Sequence, residues 1–247
     1  MAVLLPGIME HIDRAGIHSG DSIAVYPAWN LTNAQTDKIV DYSTKLALSL
    51  QTKGLINIQY VISGGEIYVI EVNPRSSRTV PYLSKVTGVP MIDIATRIML
   101  GETLQSMGYK SGLYPNAPHT AIKVPVFSFE KLAGLDTTLG PEMKSTGEVL
   151  GIAPTLNEAL YKGLLGAGYH FETCGGVFIT VRDTDKQEVI QIAKDFSDLG
   201  FHLYATEGTT NVLRAKGLSV TMVHKIHESE QNTIALLESG KVNYIIS

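Results

Sequence analysis

Cysteine is almost absent: Cys174 is the single one in 247 residues, which excludes an intrachain disulfide framework and points to a reducing compartment, the cytoplasm. Long apolar runs are absent too. No stretch approaches the roughly 20 residues that cross a bilayer, and residues 1–6 are too short for a signal-peptide core, so no membrane is expected as a partner. Charge of one sign is not in excess, the formal net charge being -4, and the electrostatic footprint of a nucleic-acid binder is missing. The seven histidines are scattered. Only His224 and His227 lie close together, with no cysteine near, which argues against a zinc site and leaves His227 as a surface or satisfied core residue. Trp29 and the tyrosines form no stacking stripe, and neither an internal repeat nor a low-complexity tract is visible. What is present is globular: 44% hydrophobic and 18% charged residues, in a length that holds two domains, each able to bury a core.

The stretch 68–78, Tyr-Val-Ile-Glu-Val-Asn-Pro-Arg-Ser-Ser-Arg, carries the most chemistry, because an apolar strand there ends in a carboxylate, an amide and two guanidinium groups. The period of two sets Glu71 and Asn73 on one face and Ile70 and Val72 on the other. Residues 55–62 read as a preceding strand, and the turn Ser63-Gly64-Gly65 folds it back so that Gln59 falls roughly opposite Glu71. One carboxylate with two amide oxygens suits Mg2+ or Mn2+ shared with nucleotide phosphates better than a full metal cage. Arg75 and Arg78 can neutralise phosphate or acyl-phosphate oxygens through their planar forks. Pro74 removes a backbone donor and stops the strand at the site. The same spacing also fits an edge hairpin whose Gln, Glu and Asn face water.

Around this hairpin, Thr32-Asn-Ala-Gln35 is a capping box opening a helix that runs through Ile39, Leu46 and Leu50 to a stop at Gly54. A second helix is expected from Pro90 to Gly101. Residues 101–154, with five prolines and many glycines, read as extended cover interrupted by a strand at 121–127. Thr155 to Glu158 is another capping box, opening a helix to about Gly166, and residues 166–168 are the expected boundary. Beyond it, strands at 177–181, 201–205 and 218–223 alternate with helices at 184–199 and 209–216, and the segments 232–239 and 242–246 continue the rhythm. That pattern implies a parallel sheet with ligands at the carboxyl ends of its strands. The loop 205–210 lies at such an end and opens a helix, so Thr206 and Thr209 can cradle a phosphate with Lys186 and Lys225 beside them. Ordinary turn chemistry with solvated lysines gives the same pattern.

Residues 71–90 strongly resemble the C-terminal half of an ATP-grasp domain of the carbamoyl phosphate synthetase family. Residues 6–22, Pro-Gly-Ile-Met-Glu-His-Ile-Asp-Arg-Ala-Gly-Ile-His-Ser-Gly-Asp-Ser, resemble its carbamate-phosphorylating copy, and residues 139–148, Leu-Gly-Pro-Glu-Met-Lys-Ser-Thr-Gly-Glu, the segment that follows that copy. The chain from about Tyr169 resembles the methylglyoxal-synthase-like regulatory domain of the same family. The resemblance implies an α/β chain: part of an antiparallel ATP-grasp domain (1–125), a connecting segment and helix (126–168), and a truncated Rossmann-like parallel-sheet domain (169–247).

It further implies that Gly16, Ile17, His18 and Ser19 lie along ATP. Gln59 and Glu71 are implied as ligands of the metal nucleotide, with Asn73 as a further metal ligand. Arg75 and Arg78 are implied beside the transferring phosphoryl group, and Lys186, Thr206, Thr209 and Lys225 at a nucleotide or phosphorylated effector. The implied reaction is phosphorylation of carbamate to carbamoyl phosphate, in an enzyme that also consumes bicarbonate and ammonia supplied by a small glutaminase chain. The chain is expected to be a fragment of that large chain, inactive alone and dependent on the remainder for its nucleotide pocket. Another ATP-grasp ligase, such as a biotin carboxylase, would not predict the parallel domain. A methylglyoxal-forming lyase would need an aspartate in the loop that reads His227-Glu-Ser-Glu-Gln231 here.

Overall fold

The computed structural model describes residues 2–128, 136–230 and 232–247, and it divides into two compact units, Met1–Tyr169 and His170–Ser247. Residues 129–135 of the expected connecting segment and Gln231 of the 227–231 loop lie outside the described residues. Among the described residues, no helix is long and apolar enough to cross a membrane.

The first unit runs β1 (Leu4–Leu5), β2 (Glu10–His11), β3 (Ala24–Tyr26), α1 (Asn33–Ser49), β4 (Asn57–Ser63), β5 (Glu66–Asn73), α2 (Thr79–Thr87) and α3 (Met91–Met99). Then follow β6 (Gly112–Leu113), β7 (Thr120–Val126), β8 (Gly147–Ala153) and α4 (Leu156–Gly166). Its main sheet is antiparallel in the order β2-β3-β7-β8. On one face Val25, Ile122, Val124 and Ala153 pack with Ala159 of α4. On the other, Tyr26 and Ala121 pack with Tyr82, Leu83 and Val86 of α2.

Strands β7 and β8 within the stretch 101–154 are therefore core, not the extended cover that its composition suggests. Most of its prolines and glycines flank the strands, and Pro125 lies past Lys123, the last β7 residue paired with β3, where a missing N–H costs no ladder bond on that side. The α1 capping box forms as read, Thr32 accepting from the Gln35 N–H and the Gln35 side chain returning the bond. The helix ends at Ser49, before Gly54, because Gln51 turns to φ 50°. Helix α2 has no counterpart in the sequence reading; Pro81 masks it, yet proline is tolerated in a first turn.

The β4–β5 hairpin forms a separate two-stranded sheet. Ser63 pairs with Glu66, so the turn is Gly64-Gly65 alone, one residue shorter than expected. Their φ values of 59° and 83° are those of a type I′ turn, which matches strand twist and requires left-handed residues.

The second unit carries β9 (Gly176–Ile179), α5 (Val189–Asp198), β10 (His202–Thr206), α6 (Glu207–Ala215), β11 (Val220–Val223), α7 (Thr233–Glu238) and β12 (Val242–Ile246). All pairs in the sheet β11-β10-β9-β12 are parallel. Val177, Ile179, Leu203 and Ala205 bury against Ala193 of α5 and Leu213 of α6. Helix α5 begins at Val189 instead of 184, because Asp183–Asp185 wind as a separate 3-10 turn. Helix α6 begins at Glu207, two residues earlier than its sequence suggests.

Contact between β8 and α4 depends on two glycines. A methyl group at Gly151 would run into the Ala159 carbonyl oxygen and meet the Gly163 nitrogen at 2.6 Å. Gly151→Ala is expected to destabilise the first unit by about 1–3 kcal/mol, the usual cost of overpacking. Urea unfolding followed by circular dichroism tests this, and an unchanged midpoint would contradict the close approach.

Candidate functional site

Strand pairing brings the hairpin trio together: Gln59 faces Glu71 and Asn57 faces Asn73, with a bulge in the ladder after Gln59. The Asn73 Nδ2 donates to Glu71 Oε1 at 2.7 Å. That contact aligns the two side chains on one face and turns the Asn73 amide nitrogen to the carboxylate, leaving its Oδ1 available as a ligand. No cluster of three or more His, Cys, Asp or Glu among the described residues forms a stand-alone metal site. The donor set instead fits an oxygen-seeking divalent ion that takes its remaining ligands from phosphates and water. Five residues on, Arg78 stands as the N-cap of α2. Arg75 donates from Nη1 to the Ser76 carbonyl at 2.9 Å.

Residues 16–19 form a tied turn. Gly16 takes φ 104° and the Ile17 N–H reaches back to the Arg14 carbonyl at 3.5 Å. The His18 N–H donates to the Gly140 carbonyl and the Asp21 N–H to the His18 carbonyl, both at 2.8 Å. Asp21, 1% exposed, accepts from the Lys144 N–H at 2.7 Å and the Ser145 N–H at 2.8 Å. Desolvation pushes its carboxyl pKa up, but the hydrogen bonds from the Ser145 side chain and the Lys144 and Ser145 backbone outweigh it and hold the pKa below the ordinary range. Lys123 of β7 donates to the carbonyls of Ser19 at 2.8 Å and Gly20 at 3.2 Å. Its pKa is lowered, by desolvation above all and further by Arg78, while Glu148, Asp21 and Asp13 offset part of this. The turn at Ser19 and Gly20 thus closes on one buried ammonium. Among the described residues no hydrogen bond or ion pair joins Gln59, Glu71 or Asn73 to the turn.

In the second unit, α6 follows β10 directly, with Thr206 as its N-cap and no side-chain capping bond made. The Thr206 and Thr180 hydroxyls lie 3.4 Å apart. Thr209, 1% exposed, has a buried hydroxyl with no partner. Lys186 reaches across the same helix start: a methyl on Gly208 would meet its Nζ at 2.7 Å. That ammonium is paired with Asp183 Oδ1 at 2.6 Å and holds the Asp183 pKa down; Lys225 adds to the effect more weakly. Free N–H groups at a helix start, the Lys186 ammonium and an orphan hydroxyl together suit a phosphate. Lys123, Asp21, Thr180 and Asp183 are additions to the residues read from sequence. Two left a trace there: Lys123 is a lone charge in the apolar run 121–126, and Thr180 directly follows the apolar strand β9.

Residues 2–107 match the family model described as carbamoyl-phosphate synthase L chain, ATP binding domain, and residues 188–247 match the MGS-like domain. The chain is similar to the carbamoyl phosphate synthase large chain of Lachnoclostridium phytofermentans, with 52% identity over 244 residues, 99% of this chain. It spans 23% of that relative's length. Among solved structures it is similar to a biotin carboxylase domain of a single-chain bacterial carboxylase, at 23% identity over 43% of this chain and 26% of that one, with a TM-score of 0.40. It is also similar to a single-chain, multi-domain long-chain acyl-CoA carboxylase, at 16% identity over 64% of this chain and 20% of that one, with a TM-score of 0.49.

Two outcomes follow from the electrostatics. Thr209→Val removes an unpartnered buried hydroxyl, so stability should hold or rise, while any affinity of the helix start for inorganic phosphate should fall about tenfold, the loss of one charge-assisted bond. Thermal unfolding and calorimetric titration read the two effects, and lost stability with equal affinity would make Thr209 a packing residue. Asp21, with its folded pKa lowered, contributes stability that is complete above its unfolded pKa and lost as pH falls through the folded value. Asp21→Asn should therefore flatten the acid limb of a plot of urea midpoint against pH.

Proposed function

We propose that this chain, which joins a carbamoyl-phosphate synthase L-chain ATP-binding domain to an MGS-like domain, forms the carbamate-phosphorylating and effector-binding part of an ATP-dependent carbamoyl phosphate synthase large chain. The observation that carries the reading is the alignment of Gln59 opposite Glu71, with Asn73 hydrogen-bonded beside it, immediately ahead of Arg75 and Arg78. The functional division runs 1–125 for the ATP-grasp part, 126–168 for the connection and 169–247 for the effector part.

In this reading Gly16, Ile17, His18 and Ser19 lie along ATP, and Gln59, Glu71 and Asn73 hold Mg2+ or Mn2+ against its phosphates. The metal, when bound, supplies neutralisation of phosphate charge. A carbamate oxygen attacks the γ-phosphorus, the bond to the ADP oxygen breaks, and Arg75 and Arg78 offset charge on the transferring group. Carbamate is already an anion, so positioning and charge neutralisation suffice and no general base is needed. The remainder of the large chain and a small glutaminase chain supply the other nucleotide contacts, the first ATP step on bicarbonate, and ammonia. The whole enzyme acts in the cytoplasm. The second unit binds a phosphorylated effector through Lys186, Thr206, Thr209 and Lys225; the orphan hydroxyl of Thr209 favours this part of the reading.

Glu71→Gln in the full-length enzyme keeps volume and removes the one carboxylate of the trio. Loss of about 4 kcal/mol of transition-state stabilisation corresponds to roughly a thousandfold in rate. ATP formation from ADP and carbamoyl phosphate should fall on that scale, and an unchanged rate in a folded variant would leave Glu71 a solvated strand residue.

A further inference from the structure

We propose that Lys123 is a positioning residue for the nucleotide-side turn, its ammonium and the Asp21 carboxylate clamping residues 18–21 from behind. The inference rests on the proposed place of Gly16–Ser19 along ATP and deepens that reading. Lys123 is 4% exposed on an inner strand of the main sheet, where an apolar side chain would ordinarily sit. Its bonds go to the Ser19 and Gly20 carbonyls, and among the described residues no carboxylate comes within ion-pair distance of it. A buried ammonium with no close counter-ion is expensive, and an apolar replacement of similar size is often neutral or stabilising for folding. What the lysine contributes is therefore location. With both carbonyls tied inward, the peptide planes on either side of Gly20 cannot rotate.

The other jaw is the 139–148 motif, which the phosphoryl-transfer reading leaves without a role. Gly140 accepts from the His18 N–H, and the Lys144 and Ser145 N–H groups hold Asp21. Gly20 fits between them without room to spare, since a methyl there would meet Met143 Sδ at 2.8 Å and His18 Nδ1 at 3.1 Å.

The test uses Lys123→Met, with Asp21→Asn as the variant on the opposite jaw should Lys123→Met fail to fold. In this chain, the amides of His18, Gly20 and Asp21 should exchange with deuterium about tenfold faster, the loss of roughly one hydrogen bond, while the thermal midpoint under Lys123→Met does not fall. In the full-length enzyme the KM for ATP in the carbamate step should rise about tenfold, with a smaller change in kcat, which a purely structural role would not produce. Unchanged amide exchange would overturn the clamp itself. Faster exchange with an unchanged KM for ATP would overturn the proposal through its premise, the place of the turn along the nucleotide.

Discussion

The Lys123 ammonium sits on the face of β7 that packs toward α2, and the first unit is organised around keeping it satisfied. Alternation along β7 gives Ile122 and Val124 to the α4 side and puts Lys123 with Ala121 on the other. The two carbonyls that hold it come from more than a hundred residues earlier in the chain. A charge in that position cannot be hydrated, so the chain must bring acceptors to it. Bringing them fixes the turn that carries His18, and the turn in its place fixes Asp21, which captures the segment at 144–145. Sheet, turn and motif form one connected polar network inside an apolar frame.

The second unit solves a different problem with parallel strands. Every strand points its carboxyl end the same way, so the loops that open α5 and α6 rise from one edge of the sheet. Thr180, Thr206 and Lys186 all come from that edge. None is displaced from regular geometry to get there; the topology delivers them. In the first turn of α6, just beyond that edge, the buried hydroxyl of Thr209 is left without a partner.

Much of the hairpin is legible in the sequence alone. A period of two, paired glycines and a proline at the strand end place Gln59 opposite Glu71 to within the observed register, because strand pairing next to a tight turn is a local matter. The Thr32–Gln35 capping box forms in full, and Thr155 caps its helix by accepting the Glu158 N–H, although its hydroxyl and not its backbone N–H meets the Glu158 carboxylate; both are local for the same reason. The parallel rhythm after residue 169 was readable as well, although the start of α6 shifted by two residues, which moved Thr206 from loop to N-cap. Misreadings concentrate where composition stood in for contacts. The glycines and prolines of 101–154 suggested cover, while β7 and β8 became core because they found β3, α2 and α4.

The sequence by itself determined the chemistry on offer: one carboxylate with two amides on a hairpin, two arginines just beyond it, and threonines and lysines at the ends of parallel strands. Each is encoded within a span of about ten residues, where backbone periodicity and turn chemistry govern geometry. Tertiary structure alone decided which of these groups meet. Lys123 reaches Ser19 across 104 residues, and Asp21 reaches Ser145 across 124. No local pattern encodes such distances, because they depend on which strand becomes central and which polar group is thereby stripped of water and must find a partner.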